Sequence, residues 1–422
     1  MISLKKIIAA WKILGPGLMF AGAAVGVSHL VQSTRAGANY GFELVWVLIL
    51  ANVLKYPFME YGPRYACATG HSLIEGYKKI GNWALILYLI FTIGSMFAIQ
   101  AAVTIVTAGL FGSIFNLHIS PVEISAFLLI ISMIILGLGH YSALDKIIKV
   151  VIVTLAISTI IAVVFALNLG FFDQNAVSGQ FNWQNHVDIL FLIAFVGWMP
   201  APIDVSVWHS LWSVAKEDQL GKRPSLRHTL IDFNIGYIGA AFLGICFLTL
   251  GALVMFGSGE KLSADGTVFA SQLIAMYTAS IGPWAYSLIA IAALTTMFST
   301  VITCLDAYPR VLRKSTELLF PKTLLISKYY RRLYWVWIIV IVAGTVLLLG
   351  YLSGTMRFMV DLATTISFVT APVLAFINFK VITHNHVPEN ARPKMWLRIY
   401  SWLGLVFLTL FSIIFIIWEF IV

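Results

Sequence analysis

The sequence consists largely of apolar runs of about twenty residues, a pattern that the core of a water-soluble protein cannot absorb. Each run is long enough to cross roughly 30 Å of hydrocarbon as a helix. Only 11% of the residues are charged, whereas soluble domains carry roughly a quarter charged residues. A transmembrane barrel would show strands of about ten alternating residues, and that pattern is missing. The sequence therefore predicts an all-α polytopic membrane protein.

Eleven apolar segments are predicted to span the bilayer and to form a single transmembrane domain over residues 1–422. The first follows a basic N-terminus like that of a signal sequence. It has no evident cleavage site and contains Arg35, so we expect it to remain as a span. The predicted spans are 13–37, 44–68, 84–112, 121–139, 147–172, 187–212, 230–256, 280–305, 333–352, 361–383 and 398–421.

The positions of lysine and arginine support this topology, because cytoplasmic loops of membrane proteins are rich in both. With the N-terminus inside, the cytoplasmic segments hold 23 of these residues and the external segments hold only Lys261 and Arg357. We therefore expect a protein of the cell membrane with a cytoplasmic N-terminus and an external C-terminus. The net charge of +9 follows from this bias and does not indicate nucleic-acid binding.

Two of the predicted spans contain helix-breaking residues near their middle. The first has glycine at 15, 17, 22 and 26, and the sixth reads Gly-Trp-Met-Pro-Ala-Pro over residues 197–202. Proline removes a backbone donor and glycine lowers the cost of leaving the helix, so both spans should break near mid-membrane. Paired breaks five spans apart predict inverted repeats over 13–172 and 187–383, with 398–421 as an extra helix.

In such folds the substrate binds between the broken helices, held by exposed backbone groups and half-helix dipoles. Hydroxyl side chains of the eighth span, among them Thr300, are expected to line the same cavity. The residues predicted to bind substrate are Gly26, Val27, Ser28, His29, Gln32, Lys55, Trp198, Met199, Ala201 and Asp204.

Short motifs in these spans resemble those of the Nramp metal transporters. They are the Gly-Pro-Gly of residues 15–17, Ala-Gly-Ala at 36–38 and Leu-Ala-Asn at 50–52. Met199-Pro200 and His209-Ser210 resemble the motif of the family's sixth helix, with about three extra residues between them. The resemblance implies a LeuT-like fold, a divalent metal ion as substrate and coupling to protons.

The chain departs from this family where the family binds metal. Aligned on the first-span motifs, the family's metal-binding Asp and Asn are replaced by Gly26 and His29, and the segment 93–100 lacks the family's proton-relaying acids. The metal ligands predicted here are His29, Met199 and Asp204. Histidine suits borderline metals better than Mg²⁺ or Mn²⁺, so the sequence predicts weaker binding and transport of those hard ions.

Charged residues inside the membrane are costly and are therefore candidates for coupling or gating. Lys55 should be neutralised by Asp204, by Glu60, by deprotonation or by an anionic substrate. Glu60 is expected to pair with Arg64 four residues later. Asp306 and Arg310 close the eighth span, where a solvated helix end is expected and a cytoplasmic gate pair is the alternative. The residues predicted to act in coupling or gating are Lys55, Glu60, Arg64, His209 and Asp306.

Three classes of function stay open beside metal transport. A carrier of a small polar or anionic organic solute would use Lys55 and the broken backbone as anchors. A membrane sensor that keeps the fold without transporting is the second, and a membrane hydrolase, which lacks an assembled nucleophile and base, is the third. No enzyme activity, cofactor or metal-spaced cysteine cluster is predicted. The expected partners are a small solute or metal ion and the lipid bilayer, and a monomer is plausible.

Overall fold

The computed structural model describes residues 15–138, 141–169, 181–258, 262–320, 324–352 and 355–421. Within these ranges every long regular element is a helix, as predicted. The helices are α1 (Pro16–Ala24), a π-helical segment (Ser28–Ser33), α2 (Thr34–Tyr40), α3 (Val45–Thr69), α4 (Leu73–Ile80), α5 (Asn82–Ile114), α6 (Pro121–Leu138), α7 (Tyr141–Leu169), α8 (His186–Trp198), α9 (Asp204–Leu220), α10 (Leu226–Val254), α11 (Gly266–Ile281), α12 (Tyr286–Leu319), α13 (Leu324–Leu352), α14 (Met356–Thr383) and α15 (Met395–Ile421).

Seven helices in the described ranges are long and apolar enough to cross a membrane, namely α5, α6, α10, α12 with the turn before it, α13 from Arg332, α14, and α15 as far as Ile417. The other predicted spans correspond to α1–α2, α3, α7 and α8–α9. Large apolar side chains recur on outward faces at helical spacing, for example Ile86, Ile90 and Ile93, which are 45%, 59% and 44% exposed. Faces of this kind require contact with lipid.

Two helices were not predicted from the sequence. The first is α4, a short amphipathic helix. The side chain of Ser72 accepts a hydrogen bond from the amide of Glu75, and the side chain of Glu75 accepts one from the amide of Ser72, which caps the start of the helix. The second is α11, whose N-cap Asp265 accepts hydrogen bonds from the amides of Thr267 and Val268. Neither is long enough to span a bilayer, so a search for apolar runs misses both. The eighth span also differs, since α12 covers Tyr286–Leu319 where 280–305 was predicted.

Both predicted helix breaks are present. α1 ends at Ala24, and a π-helical segment resumes at Ser28 before α2 continues the span. α8 ends at Trp198 and α9 begins at Asp204, with residues 199–203 outside regular helix. Two prolines in that stretch have no N–H group to continue the helical ladder, which explains why the second break falls there.

Close contact with α10 positions the broken first span. The N-terminal amides of Gly15 and Gly17 donate to the two carboxylate oxygens of Asp232 on α10, at 3.0 and 2.7 Å. Further along, a methyl group at Gly37 would overlap the backbone carbonyl of Leu248. Glycine is therefore needed at position 37 because the backbones of α2 and α10 touch there.

Contacts between loops define two faces of the bundle. On the basic face, Lys314 pairs with Glu75 at 3.2 Å, and Arg64 donates to the carbonyl of Ala391 at 3.1 Å. On the opposite face, the amide of Phe181 donates to Glu43 and the amide of Arg357 donates to the carbonyl of Ala264. The two helix breaks lie between these faces.

Candidate substrate site between the broken helices

The two breaks meet around a small buried cavity. Ser28 after the first break lies 3.4 Å from the carbonyl oxygen of Pro200 in the second. The cavity has a volume of about 20 Å³, enough for one particle the size of a water molecule or a bare ion. Its lining includes Val27, Ser28, Trp198, Ala201, Thr300 and Cys304, none of which is more than 4% exposed.

Position 26 faces α12 across a very short gap. A Cβ atom built on Gly26 would lie 2.8 Å from Oγ1 and 3.0 Å from Cγ2 of Thr300. Thr300 in turn donates to the carbonyl oxygens of Gly22 and Thr296, at 3.2 and 3.1 Å. Thr300 thus fills the space next to Gly26, the position at which the resemblance to the Nramp transporters places a carboxylate.

His29 points away from the cavity, towards α10. Its Nε2 lies 2.9 Å from the carbonyl oxygen of Ala240, which can only accept, so Nε2 carries a hydrogen. Its Nδ1 lies 2.7 Å from the hydroxyl of Ser28. Both ring nitrogens are therefore engaged, and neither is directed into the cavity.

Met199 lies on the same side as His29 and does not line the cavity. Its sulfur is 3.4 Å, and His29 Cδ2 is 3.6 Å, from the Cβ position of Gly244 on α10. Asp204 lies elsewhere, and the described residues contain no group of three or more His, Cys, Asp or Glu side chains placed to hold a metal. The structure thus brings two of the three predicted ligands together and separates the third.

Lys55 is fully buried and makes no ion pair with either carboxylate proposed from the sequence. Its Nζ donates to the carbonyl oxygens of Val196 and Gly197 at 2.7 and 2.8 Å, and lies 3.5 Å from that of Ala201. The expectation of Asp204 or Glu60 as the counter-charge was wrong, because the oxygens that meet the ammonium belong to the backbone.

Asp204 is the first residue of α9 and is 6% exposed. Its Oδ1 has no hydrogen-bond partner among the described residues. The carboxylate interacts electrostatically with the hydroxyl groups of Tyr77, Tyr88 and Tyr308, which come from α4, α5 and α12. It therefore lies on the side of the cavity that leads to the basic face.

On the other side of the cavity, a buried arginine joins α2 to α14. Arg35 donates to Asp361 and to the side-chain carbonyl of Gln32, each at 2.9 Å. Gln32 thus serves this ion pair and is not in the cavity lining. Trp198 donates from its ring nitrogen to Ser367 on α14 at 2.8 Å, which closes the cavity on that side.

Ion pairs within single helices lie on the basic face. Glu60 pairs with Arg64 as predicted. Asp306 is buried and pairs with Arg310 where a solvated helix end was expected, and it also accepts from Tyr334 at 2.7 Å. His209 does not join them. Its ring lies 5.7 Å from that of Phe20, and neither of its nitrogens has a partner in the described part of the chain.

The link between α4 and α12 belongs to the same face. Burial by itself would raise the pKa of Glu75, but the amide of Ser72 and the ammonium of Lys314 hold that pKa below its usual value. The ion pair with Lys314 is therefore formed at neutral pH, and it ties α4 to the end of α12.

Two residues of the site were missed in the sequence. Cys304 lines the cavity one helical turn after Thr300, and that spacing of four could have revealed it. Asp361, the partner of Arg35, lies at the predicted start of the tenth span. An acidic residue at that position is interpreted as marking the end of a helix.

Two half-helix pairs around a buried cavity define a membrane transporter with a LeuT-like fold. A sequence model of the family described as natural resistance-associated macrophage protein-like (Nramp) matches residues 17–418. The chain belongs to this family, and it is a transporter and not an enzyme, as predicted.

Individual relatives agree with this assignment. The chain is 36% identical over 409 residues to an uncharacterized protein of Pasteurella multocida, which covers 96% of this chain and 91% of that protein. It is 22% identical over 271 residues to the divalent metal cation transporter MntH of Latilactobacillus sakei, covering 62% and 59%. A mutant of the Eremococcus coleocola manganese transporter shares the fold, with a TM-score of 0.71 at 14% identity and coverage of 98% and 87%.

Proposed function

We propose that this protein carries a divalent metal ion across the cell membrane by alternating access around the cavity between the two breaks. The observation that supports it most is the size and position of the cavity. Most of its lining is buried, it lies where the half-helices meet, and its volume of about 20 Å³ matches an ion. The names of related family members support the same substrate class.

The ligands we infer differ from those expected from the sequence. Most residues that line the cavity are apolar, and the ones whose side chains carry oxygen or sulfur are Ser28, Thr300 and Cys304. Thiol sulfur favours softer metals such as Cd²⁺ and Zn²⁺ over Mn²⁺ and Mg²⁺. We therefore assign the preference for soft ions to Cys304, while His29 and Met199 fasten the breaks to α10.

We infer that the basic face is cytoplasmic, which places the N-terminus inside and the C-terminus outside. The repeats 13–172 and 187–383 then supply one broken helix each. Opening towards the cytoplasm would separate Glu75 from Lys314 and Asp306 from Tyr334, which lie on different helices, and would move His209 with α9. Opening outward would separate Arg35 from Asp361. We expect a monomer to suffice, because the cavity is lined within one chain.

The function is tested by uptake of Mn²⁺ and Cd²⁺ into liposomes that contain the purified protein, with empty liposomes as the baseline. We expect saturable uptake that Ala201→Leu abolishes, because the added side chain fills the cavity. Gly94→Leu is the matched control, since Gly94 has no neighbour within 4 Å and the added bulk meets lipid. Uptake of an organic anion in place of either metal would reject the proposal.

Replacing Cys304 with serine is expected to lower Cd²⁺ affinity roughly tenfold while changing Mn²⁺ affinity less than about twofold. The reason is that a hydroxyl replaces the soft ligand at nearly the same volume. Competition of each metal against the other during uptake measures both values. The control is Cys246→Ser, a buried cysteine of α10 outside the cavity lining. Equal losses for both metals would show that Cys304 does not set the selectivity.

A further inference from the structure

The C-terminal end of α8 has carbonyl groups that its own chain cannot satisfy. The last turn of any helix leaves carbonyl oxygens without an intrahelical donor. Here the amide of Met199 still reaches the carbonyl of Phe195, at 3.1 Å. The residues that follow include Pro200 and Pro202, which have no N–H to donate. The carbonyls of Val196 and Gly197 therefore need a donor or a cation from another element.

Close packing of α8 against α14 leaves these carbonyl oxygens accessible to a donor or cation from a neighbouring element. A Cβ atom on Gly197 would lie 2.5 Å from the carbonyl oxygen of Thr364 on α14, so only glycine lets the two backbones approach. The negative end of the α8 dipole adds to the potential at this point. Carbonyls at the end of a half-helix are the groups that bind coupling cations in transporters with broken helices.

The ammonium group of Lys55, which is covalently attached to α3, occupies this position. Its side chain is 0% exposed, and its three N–H donors face three carbonyl oxygens at 2.7, 2.8 and 3.5 Å. The described residues offer it no carboxylate within ion-pair distance, so backbone oxygens alone hold its charge. This is the coordination of a small monovalent cation, supplied here by α3.

We propose that the end of α8 is a binding site for a small monovalent cation, and that Lys55 occupies it as a built-in ammonium ion. The protein then needs no inorganic monovalent cation to order the second break. Removing the side chain while leaving its space should recreate a site for a free ammonium or sodium ion. The proposal concerns binding, so it does not depend on which substrate is transported.

The test compares Lys55→Ala with Lys55→Met by thermal unfolding of the purified proteins in choline, sodium, ammonium or methylammonium chloride at equal ionic strength. The alanine variant leaves an ion-sized space, and we expect ammonium or methylammonium to raise its melting temperature by about 5 °C in a saturable way. The methionine variant fills the space, and neither it nor the wild type should respond. The same melting temperature for the alanine variant in all four salts would overturn the proposal.

A further variant separates charge from hydrogen bonding and covers failure of the alanine variant to fold. Lys55→Gln provides neutral donors to the same carbonyls, so we expect it to melt below the wild type in every salt. If the glutamine variant matches the wild type, the positive charge has no role and the cation site is rejected. A melting temperature below that of the wild type in every salt supports it.

Discussion

Replacing Asp204 with asparagine is expected to leave the melting temperature unchanged or higher while metal uptake falls roughly tenfold or more. Five carboxylate side chains are buried in the described part of the chain. Four of them accept hydrogen bonds or ion pairs, namely Glu60, Asp188, Asp232 and Asp306. Asp204 has no such partner, and an uncompensated buried charge costs several kcal/mol. Asparagine removes that cost at almost the same volume.

The loss of uptake follows from the position of Asp204. The residues that interact with it electrostatically are Tyr77, Tyr88 and Tyr308, on three different helices, and none of their hydroxyls donates to it. The charged side chains of the neighbouring α3 are engaged elsewhere, Lys55 with carbonyls and Glu60 with Arg64. A carboxylate left without a partner between the cavity and the basic face is thus available to a cation that passes or to a proton.

Asp232→Asn provides the matched control, because both of its carboxylate oxygens accept amide hydrogens from the start of the first span. An amide cannot accept from both, so this variant should melt several degrees lower. If Asp204→Asn also melts lower and loses uptake only in proportion to folded protein, the residue is structural. Thermal unfolding and uptake measured on the same preparation distinguish the two outcomes.

The helix breaks were predictable from the sequence because glycine and proline act locally. Proline at 200 and 202 cannot continue a helical ladder wherever the chain folds, so the break at residues 199–203 needs no tertiary information. The pair Glu60–Arg64 was predictable for the same reason, since residues four apart on one helix are neighbours on its surface.

The directions of side chains at a break were not predictable. His29 turns towards Ala240 because α10 packs against the first span there, and only tertiary structure places that carbonyl. Lys55 was assigned a carboxylate partner because a sequence reveals the identity of side chains but not the position of backbone carbonyls. Its actual partners are backbone carbonyls, which every residue carries and no residue type reveals.

Restoring a carboxylate to the first break should convert the site to one for hard metals, provided that space is made for it. Counted from the Gly-Pro-Gly and Ala-Gly-Ala motifs, Gly26 is predicted to correspond to the family's metal-binding aspartate. A Cβ atom there would lie 2.8 Å from Thr300 Oγ1 and 3.0 Å from Cγ2. Gly26→Asp alone is therefore expected to lower the melting temperature by several degrees, because threonine is short and has little freedom to move. Thr300→Ala removes both obstructing atoms.

The double variant Gly26→Asp, Thr300→Ala is expected to bind Mn²⁺ about 10 to 100 times more tightly than Thr300→Ala alone, a gain of roughly 1.4–2.7 kcal/mol. A carboxylate oxygen is the ligand that hard divalent ions prefer, and a buried one is poorly screened by water. Calorimetric titration of Mn²⁺ and Cd²⁺ into each purified variant gives the affinities, and Thr300→Ala serves as the control for lost hydroxyl contacts. The gain for Cd²⁺ should be smaller, because we propose that the thiol of Cys304 already binds soft ions. A folded double variant that binds Mn²⁺ no better than the control would show that metal does not pass through the cavity between the breaks.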